Sequence, residues 1–297
     1  MHPSQPFNRN GLARLQDLLT SEWQIYFQDL ELLQADFLAG SPHPPTYVWP
    51  KNPLHTWSRV WEYPYVLDNV RRWRRAHARQ HPGNPVALDF GSGVTFFPFA
   101  LAREGFNVIC VDQESLCAEG ISRARRQFTD YPGEVTFLQS STTTLPLESA
   151  SVDLVYSISV LEHLPDPSAF IDEFARILRP AGALILTFDI AMDAGASLGL
   201  TPTQHADLLS RLGQHFEFTG PNDFVHPSAM LTTSTGPYPS NSIERGLRAV
   251  WKATKEEVLK PLMRRPPATY FHLTCEGLVA SRRATDDCMG SRARQQH

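Results

Sequence analysis

Apolar positions early in the chain recur at helical spacing. Leu12, Leu15, Leu18 and Leu19 start the pattern, and Trp23, Tyr26, Phe27, Leu30 and Leu33 continue it. Gly40 and the run Ser41-Pro42-His43-Pro44-Pro45 end the predicted helix. From Tyr47 to Val70 the chain is aromatic and proline-broken, with Trp49, Trp57, Trp61, Tyr63 and Tyr65. So much aromatic surface must be buried, and it is expected to pack on the face of the domain that follows, over its substrate mouth. A helix from Val66 to Arg79 leads into the linker His81-Pro82-Gly83-Asn84-Pro85.

Beyond the linker the period alternates between strand and helix. Val86–Phe90, Asn107–Val111, Glu134–Leu138, Val152–Ser159 and Ala183–Phe188 read as strands. Phe96–Arg103 and Glu114–Phe128 read as helices between them. The best-defined helix begins at Asp166, an N-cap, with Pro167 in its first turn. It buries Phe170, Ile171, Phe174, Ile177 and Leu178, and Pro180 closes it. A helix near Pro202–Leu212, a short strand at Phe216–Phe218, a helix at Ile243–Leu259 and a last strand at Phe271–Ala280 complete the pattern. This rhythm predicts an α/β fold: a doubly wound, mostly parallel seven-stranded sheet with helices on both faces, plus an N-terminal helical extension. The expected organisation is an extension over 1–80, the α/β domain over 81–282 with an insertion or lid at 220–268, and a disordered tail at 283–297.

Composition narrows the classes. With 297 residues, 42% of them hydrophobic, and a formal net charge of −4, a sizeable core is expected and a general nucleic-acid binder is disfavoured. Arg71-Arg72-Trp73-Arg74-Arg75 fits a solvated helix face with Trp73 turned inward better than a phosphate-binding patch. Cys110, Cys117, Cys275 and Cys288 form no CxxC pair, no His/Cys set has zinc spacing, and no metal site is expected. The polar start and the lack of a long apolar run predict a protein without a membrane span, in the cytoplasm.

The chemistry gathers at Leu88-Asp89-Phe90-Gly91-Ser92-Gly93, a glycine-bearing turn between a strand and a helix. Gly91 and Gly93 allow a tight bend and close approach of a ligand, and the helix N-terminus favours an anionic group. The next strand ends in Asp112, placed to grip ribose hydroxyls. These two signals resemble the opening motifs of class I, Rossmann-like S-adenosylmethionine-dependent methyltransferases. Leu145-Pro146-Leu147, Asp153-Leu154-Val155, Val160-Leu161-Glu162-His163-Leu164 and Arg176-Ile177-Leu178-Arg179-Pro180-Ala181-Gly182 resemble the rest of that core, in the ubiquinone/menaquinone-biosynthesis-type (type 11) branch.

The resemblance implies S-adenosylmethionine as cofactor. Asp89, Gly91, Ser92 and Gly93 would line its methionine end, Asp112 would hold the ribose, and Gln113 would flank the adenine. Ser157 to Ser159 would pass the sulfonium. Two positions depart from the family: Thr95 stands where a third glycine is usual, and Ser141 where an adenine-binding Asp is usual. The implied function is methyl transfer to a small-molecule acceptor, first a hydroxyl of a sugar, glycan precursor or secondary metabolite. An N- or C-methyltransferase and a non-catalytic cofactor-binding partner subunit are the alternatives. A hydroxyl acceptor needs a base. His163 and Asp189 are the candidates, ahead of His205 and His226.

Overall fold

The computed structural model describes residues 6–78, 83–192, 199–238 and 273–283. The sheet contains β1 (Gly11–Leu12), β2 (Val86–Phe90), β3 (Asn107–Asp112), β4 (Val135–Gln139), β5 (Val152–Ile158), β6 (Leu178–Ala191), β7 (Phe216–Phe218) and β8 (Leu273–Arg282). Its order is β1-β8-β6-β5-β2-β3-β4, with β7 also on β8. Pairs among β2 to β6 are parallel, and β8 is antiparallel to β1, β6 and β7.

Among the described residues the sheet therefore has eight strands, not the seven expected. The extra strand is β1, which pairs Gly11 with Gly277 and Leu12 with Glu276. It shares one edge of β8 with β7, which pairs farther along at Ala280 to Arg282. Leu12 thus belongs to a strand, and the helical spacing that seemed to include it starts later. A 3-10 turn spans Leu15–Leu19, and α1 runs Ser21–Ala39 with Thr20 as N-cap.

The other helices are α2 (Arg59–His77), α3 (Phe97–Arg103), α4 (Leu116–Arg125), α5 (Pro167–Ile177) and α6 (Pro202–His215). Asp166 caps α5 as expected, accepting from the N–H groups of Ser168 and Ala169. The expected helix at Ile243–Leu259, most of the 220–268 insertion and the tail beyond Arg283 lie outside the described residues.

Helices cover both faces of the sheet. Ala87, Val108, Cys110, Leu154, Tyr156 and Ile185 pack with α1, α2 and α3. Leu88, Phe90, Val155, Leu184 and Leu186 pack with α5 and α6 through Ile171, Phe174, Leu208 and Leu212. The aromatic side chains between Tyr47 and Val70 are buried except at Trp49, which stands exposed on the loop before α2: Trp61 and Tyr65 stack at 4.6 Å and are wholly inaccessible. They lie over Gly277, where a Cβ would stand 2.5 Å from the Tyr65 ring, so glycine lets α2 approach β8.

Helix α2 starts seven residues earlier than its spacing predicts, and it contains Pro64. Proline has no N–H to return to the Val60 carbonyl. The Trp23 indole donates to that carbonyl instead, at 2.8 Å, so α1 supplies the bond that the proline removes. Arg71 and Arg72 point into ion pairs with Glu104 and Asp68, and Trp73 is turned inward.

Ala181, in the turn entering the main run of β6, is exposed and holds φ +63°. A Cβ in that region costs about 1–2 kcal/mol, and glycine's added chain entropy returns about 0.5–1 kcal/mol of the relief. Ala181→Gly should therefore raise the melting temperature by roughly 2 °C, and Ala181→Val should lower it. A fall on glycine substitution would contradict the strain.

Candidate functional site

At the carboxyl ends of β2 and β3 the chain forms the expected cradle. Gly91 (φ +75°) and Gly93 (φ +54°) bend the turn between β2 and α3. The N–H groups of Gly91 and Ser92 donate to the Val111 carbonyl at 2.8 and 3.1 Å, tying the turn to β3. The Gly93 N–H donates to Asp112 Oδ2 at 2.9 Å, and Glu114 N–H donates to Asp112 Oδ1 at 3.0 Å. A carboxylate offers about four acceptor sites, so each Asp112 oxygen retains a lone pair for a ligand hydroxyl.

Asp89 is buried at the end of β2. Burial pushes its carboxyl up to about 8, with the nearby Asp112 charge adding to the rise and the Tyr156 phenol opposing it. Among the described residues no cationic side chain adds to these causes. The cradle thus presents two acids without a base, and a bound cation would supply the missing charge. S-adenosylmethionine carries an ammonium and a sulfonium, and its ribose hydroxyls match the spare acceptors of Asp112. The residues fit that cofactor.

The N-terminal segment closes over this turn. Tyr47 Oη accepts the Val94 N–H at 3.1 Å and stands 3.1 Å from where a Gly93 Cβ would be. His43 Nε2 meets the Val94 carbonyl at 2.9 Å. Burial pushes the Tyr47 phenol up to about 12, so its O–H remains available to donate over the glycine turn. Neither residue stood out in the sequence; an aromatic beside a proline-rich stretch, just outside the motif-bearing region, was their only signal.

The remaining candidates are spread around the cradle. Gln113 is exposed at the end of β3, and its carbonyl accepts from Gln139 Nε2 at 3.1 Å. Ser141 is exposed beyond β4, next to a turn closed by Ser140 and Thr142. Ser157 is wholly buried, and its hydroxyl donates to the Phe90 carbonyl at 3.0 Å, holding β5 to β2 beneath the turn. His163 lies in a 3-10 turn after β5; its N–H donates to the Val160 carbonyl at 2.9 Å, and its imidazole makes no hydrogen bond among the described residues. Burial and then Arg59 lower its pKa, so the imidazole stays neutral. Asp189 is buried near the end of β6. His205 pairs with Glu276 at 2.5 Å, joining α6 to β8, and His226 caps a short 3-10 turn.

Two acids from other elements, Glu62 and Glu162, face Asp189. Glu62 of α2 is wholly inaccessible. Its Oε2 accepts from Arg59 at 2.5 Å and its Oε1 from Ser159 Oγ at 2.7 Å. Ser159 holds φ +47°, a strained backbone just before Val160, whose side chain packs where a Gly91 Cβ would be. Glu162 reaches back to accept the Asp189 N–H at 3.2 Å. An acid and a base three residues apart amid Trp57, Val60, Trp61 and Tyr63 were the sequence's only sign of Glu62.

Comparison with known proteins bears on the family and the fold. A family model described as a methyltransferase domain matches residues 88–186. A ubiquinone biosynthesis O-methyltransferase of Xanthomonas oryzae pv. oryzae (strain PXO99A) is 30% identical over 183 residues, 61% of this chain and 69% of that protein. An uncharacterized methyltransferase of Mycobacterium sp. (strain JLS) is 32% identical over 124 residues, 40% of this chain. The match spans about half the length of the mycobacterial relatives, 46% and 49% of two of them. Among solved structures, the [4+2]-cyclase SpnF is similar with a TM-score of 0.53 and 18% identity, covering 93% of this chain and 100% of that one. At that identity the likeness concerns the fold alone.

Proposed function

The chain belongs to the Rossmann-like S-adenosylmethionine-dependent methyltransferases, and we propose that it methylates a hydroxyl of a small molecule such as a sugar, glycan precursor or secondary metabolite. The observation that carries this reading is the cradle of Gly91, Gly93, Asp89 and Asp112, which offers acids and ribose acceptors without a counter-charge among the described residues. In it, Asp89 and the Gly91–Gly93 turn hold the methionine end, Asp112 holds the ribose, and Gln113 and Ser141 border the adenine. Ser157 supports the turn from below. The bound cofactor supplies an activated methyl group.

The acceptor stands on the side of β5 and β6, where His163 and Asp189 are the candidate bases. Its chemistry as an alcohol is supported by the O-methyltransferase relatives and by the buried acid at the end of β6. Free, buried Cys110, Cys117 and Cys275 suit a reducing compartment, and we place the protein in the cytoplasm.

Calorimetry tests the cofactor assignment. S-adenosylmethionine and S-adenosylhomocysteine should both bind at one site, and the absence of binding by either would overturn the reading. Mass spectrometry after incubation with the cofactor and a cell extract should show a product heavier by one methylene. Binding without any product would favour a non-catalytic partner subunit.

A further inference from the structure

Where α2 crosses the ends of β5 and β6, three acids from separate segments are buried together. Glu62 is fixed by Arg59 and Ser159, while Glu162 spends only Oε1, on the Asp189 N–H. Among the described residues the buried Oε2 of Glu162 and Oδ1 of Asp189 have no hydrogen-bond partner, and neither does Thr187 Oγ1, two residues back on the same face of β6. Arg59, the cation of the cluster, is committed to Glu62. Two further ionised carboxylates there would be left uncompensated, which the interior does not tolerate. Burial, opposed by its own backbone hydrogen bond and aided by Glu62, pushes Glu162 up to about 8. Burial, then Glu162 and Glu62, holds Asp189 well above the usual carboxylate range. His163, Cys275 and Tyr63 also face these charges. The imidazole is held neutral, and burial keeps the thiol and the phenol protonated.

Resting on the reading of hydroxyl methylation, we propose that Glu162 and Asp189 act as one acid pair, positioned by Glu62, and that this pair, once it has released one proton to solvent, takes the proton of the acceptor. The acceptor oxygen forms its bond to the methyl carbon while the carbon–sulfur electron pair returns to sulfur. The acceptor's O–H bond breaks, and its proton passes to a carboxylate oxygen of the pair and then to water. Glu62 is a positioning residue: it holds Ser159 and Arg59 and sets the charge of the pair. The unpartnered oxygens accept hydrogen bonds, so the acceptor presents an uncharged, donor-bearing end. A carboxylate or phosphate at that end would meet uncompensated negative charge. His163 has nothing to orient it and is not needed for this step.

Infrared spectroscopy of the protein saturated with S-adenosylhomocysteine reads the carbonyl stretch of a neutral carboxyl directly. At pH 7 the wild type should show such a band, and Glu162→Gln and Asp189→Asn should each weaken it by the share of the carboxyl removed. Glu62→Gln removes a negative charge and leaves Arg59 facing the pair, so the midpoint at which the band titrates should fall by about one pH unit. Glu62→Asp keeps the charge and should restore the midpoint. A band unchanged in both Glu162→Gln and Asp189→Asn, or a midpoint unmoved in Glu62→Gln, overturns the proposal. Melting curves confirm folding of each variant, and the two pair variants remain decisive if Glu62→Gln does not fold. Calorimetry on the same samples separates the two levels. Failure to bind S-adenosylhomocysteine removes the methyltransferase reading, while binding without a variant-sensitive band removes only the acid pair.

Discussion

Gly91→Ala should weaken binding of S-adenosylhomocysteine at least ~100-fold and destabilise the protein by about 2–4 kcal/mol. Two costs combine. At φ +75° any Cβ is strained, by about 1–2 kcal/mol. The new methyl would also lie 2.4 Å from Val160 Cγ2 and 2.6 Å from Cγ1. Val160 cannot easily withdraw, because it follows Ser159, whose hydroxyl and N–H are held by Glu62 and the Thr187 carbonyl. Relief must come from the turn itself, whose Gly91 N–H is tied to Val111. Moving that turn displaces Gly93 from Asp112 and takes the cradle apart. The double variant Gly91→Ala/Val160→Ala removes the steric clash but not the backbone strain. It should regain about half of the lost stability, a non-additivity expected of residues in contact. Calorimetry and thermal melts measure both effects, and wild-type affinity in Gly91→Ala would refute the assignment of the turn to the cofactor.

That turn, with Asp112 and α5, was legible in the sequence because each depends on local chemistry. Gly91 must adopt positive φ, Asp112 ends a strand, and Asp166 caps a helix whatever the rest of the chain does. Where an element depends on distant partners, local reading failed. Pro64 signals a break, and only the indole of Trp23, packed there by the tertiary fold, makes it acceptable inside α2. The sequence pattern therefore predicts a helix start seven residues too late and leaves Glu62 in an irregular segment. Gly11 and Leu12 become a strand only by pairing with β8, more than 260 residues later, while Leu12 fits a helical stripe equally well. The acceptor side suffered most. Asp189 was visible at a strand end, but the partners that define its chemistry, Glu62 and Glu162, come from α2 and from the loop after β5. His163 drew attention through its titration range, yet its side chain is exposed and unanchored.

Cofactor binding should release a proton, and its affinity should depend on pH through Asp89. In the free protein this carboxyl is held at about 8 by burial, so at pH 7 it is mostly protonated. A cationic methionine end favours the carboxylate, so binding below pH 8 must expel that proton. Affinity for S-adenosylmethionine should therefore strengthen by about tenfold per pH unit as pH rises from 6 to 7 and level off above 8. Titrations at pH 7 in buffers of different ionisation enthalpy should show close to one proton released per cofactor, and none above about pH 9. Folding shares this linkage with a definite sign. The unfolded carboxyl loses its proton near pH 4 and the folded one only near 8, so the folded state binds more protons between those values. The stability of the free protein should therefore decline as pH rises through that window, then become insensitive to Asp89. Asp89→Asn should abolish the proton release, flatten the affinity profile and remove this residue's share of the decline, although Glu162 and Asp189 retain their own. A variant that still releases a proton would assign the linkage to that second acid pair instead of the cofactor cradle.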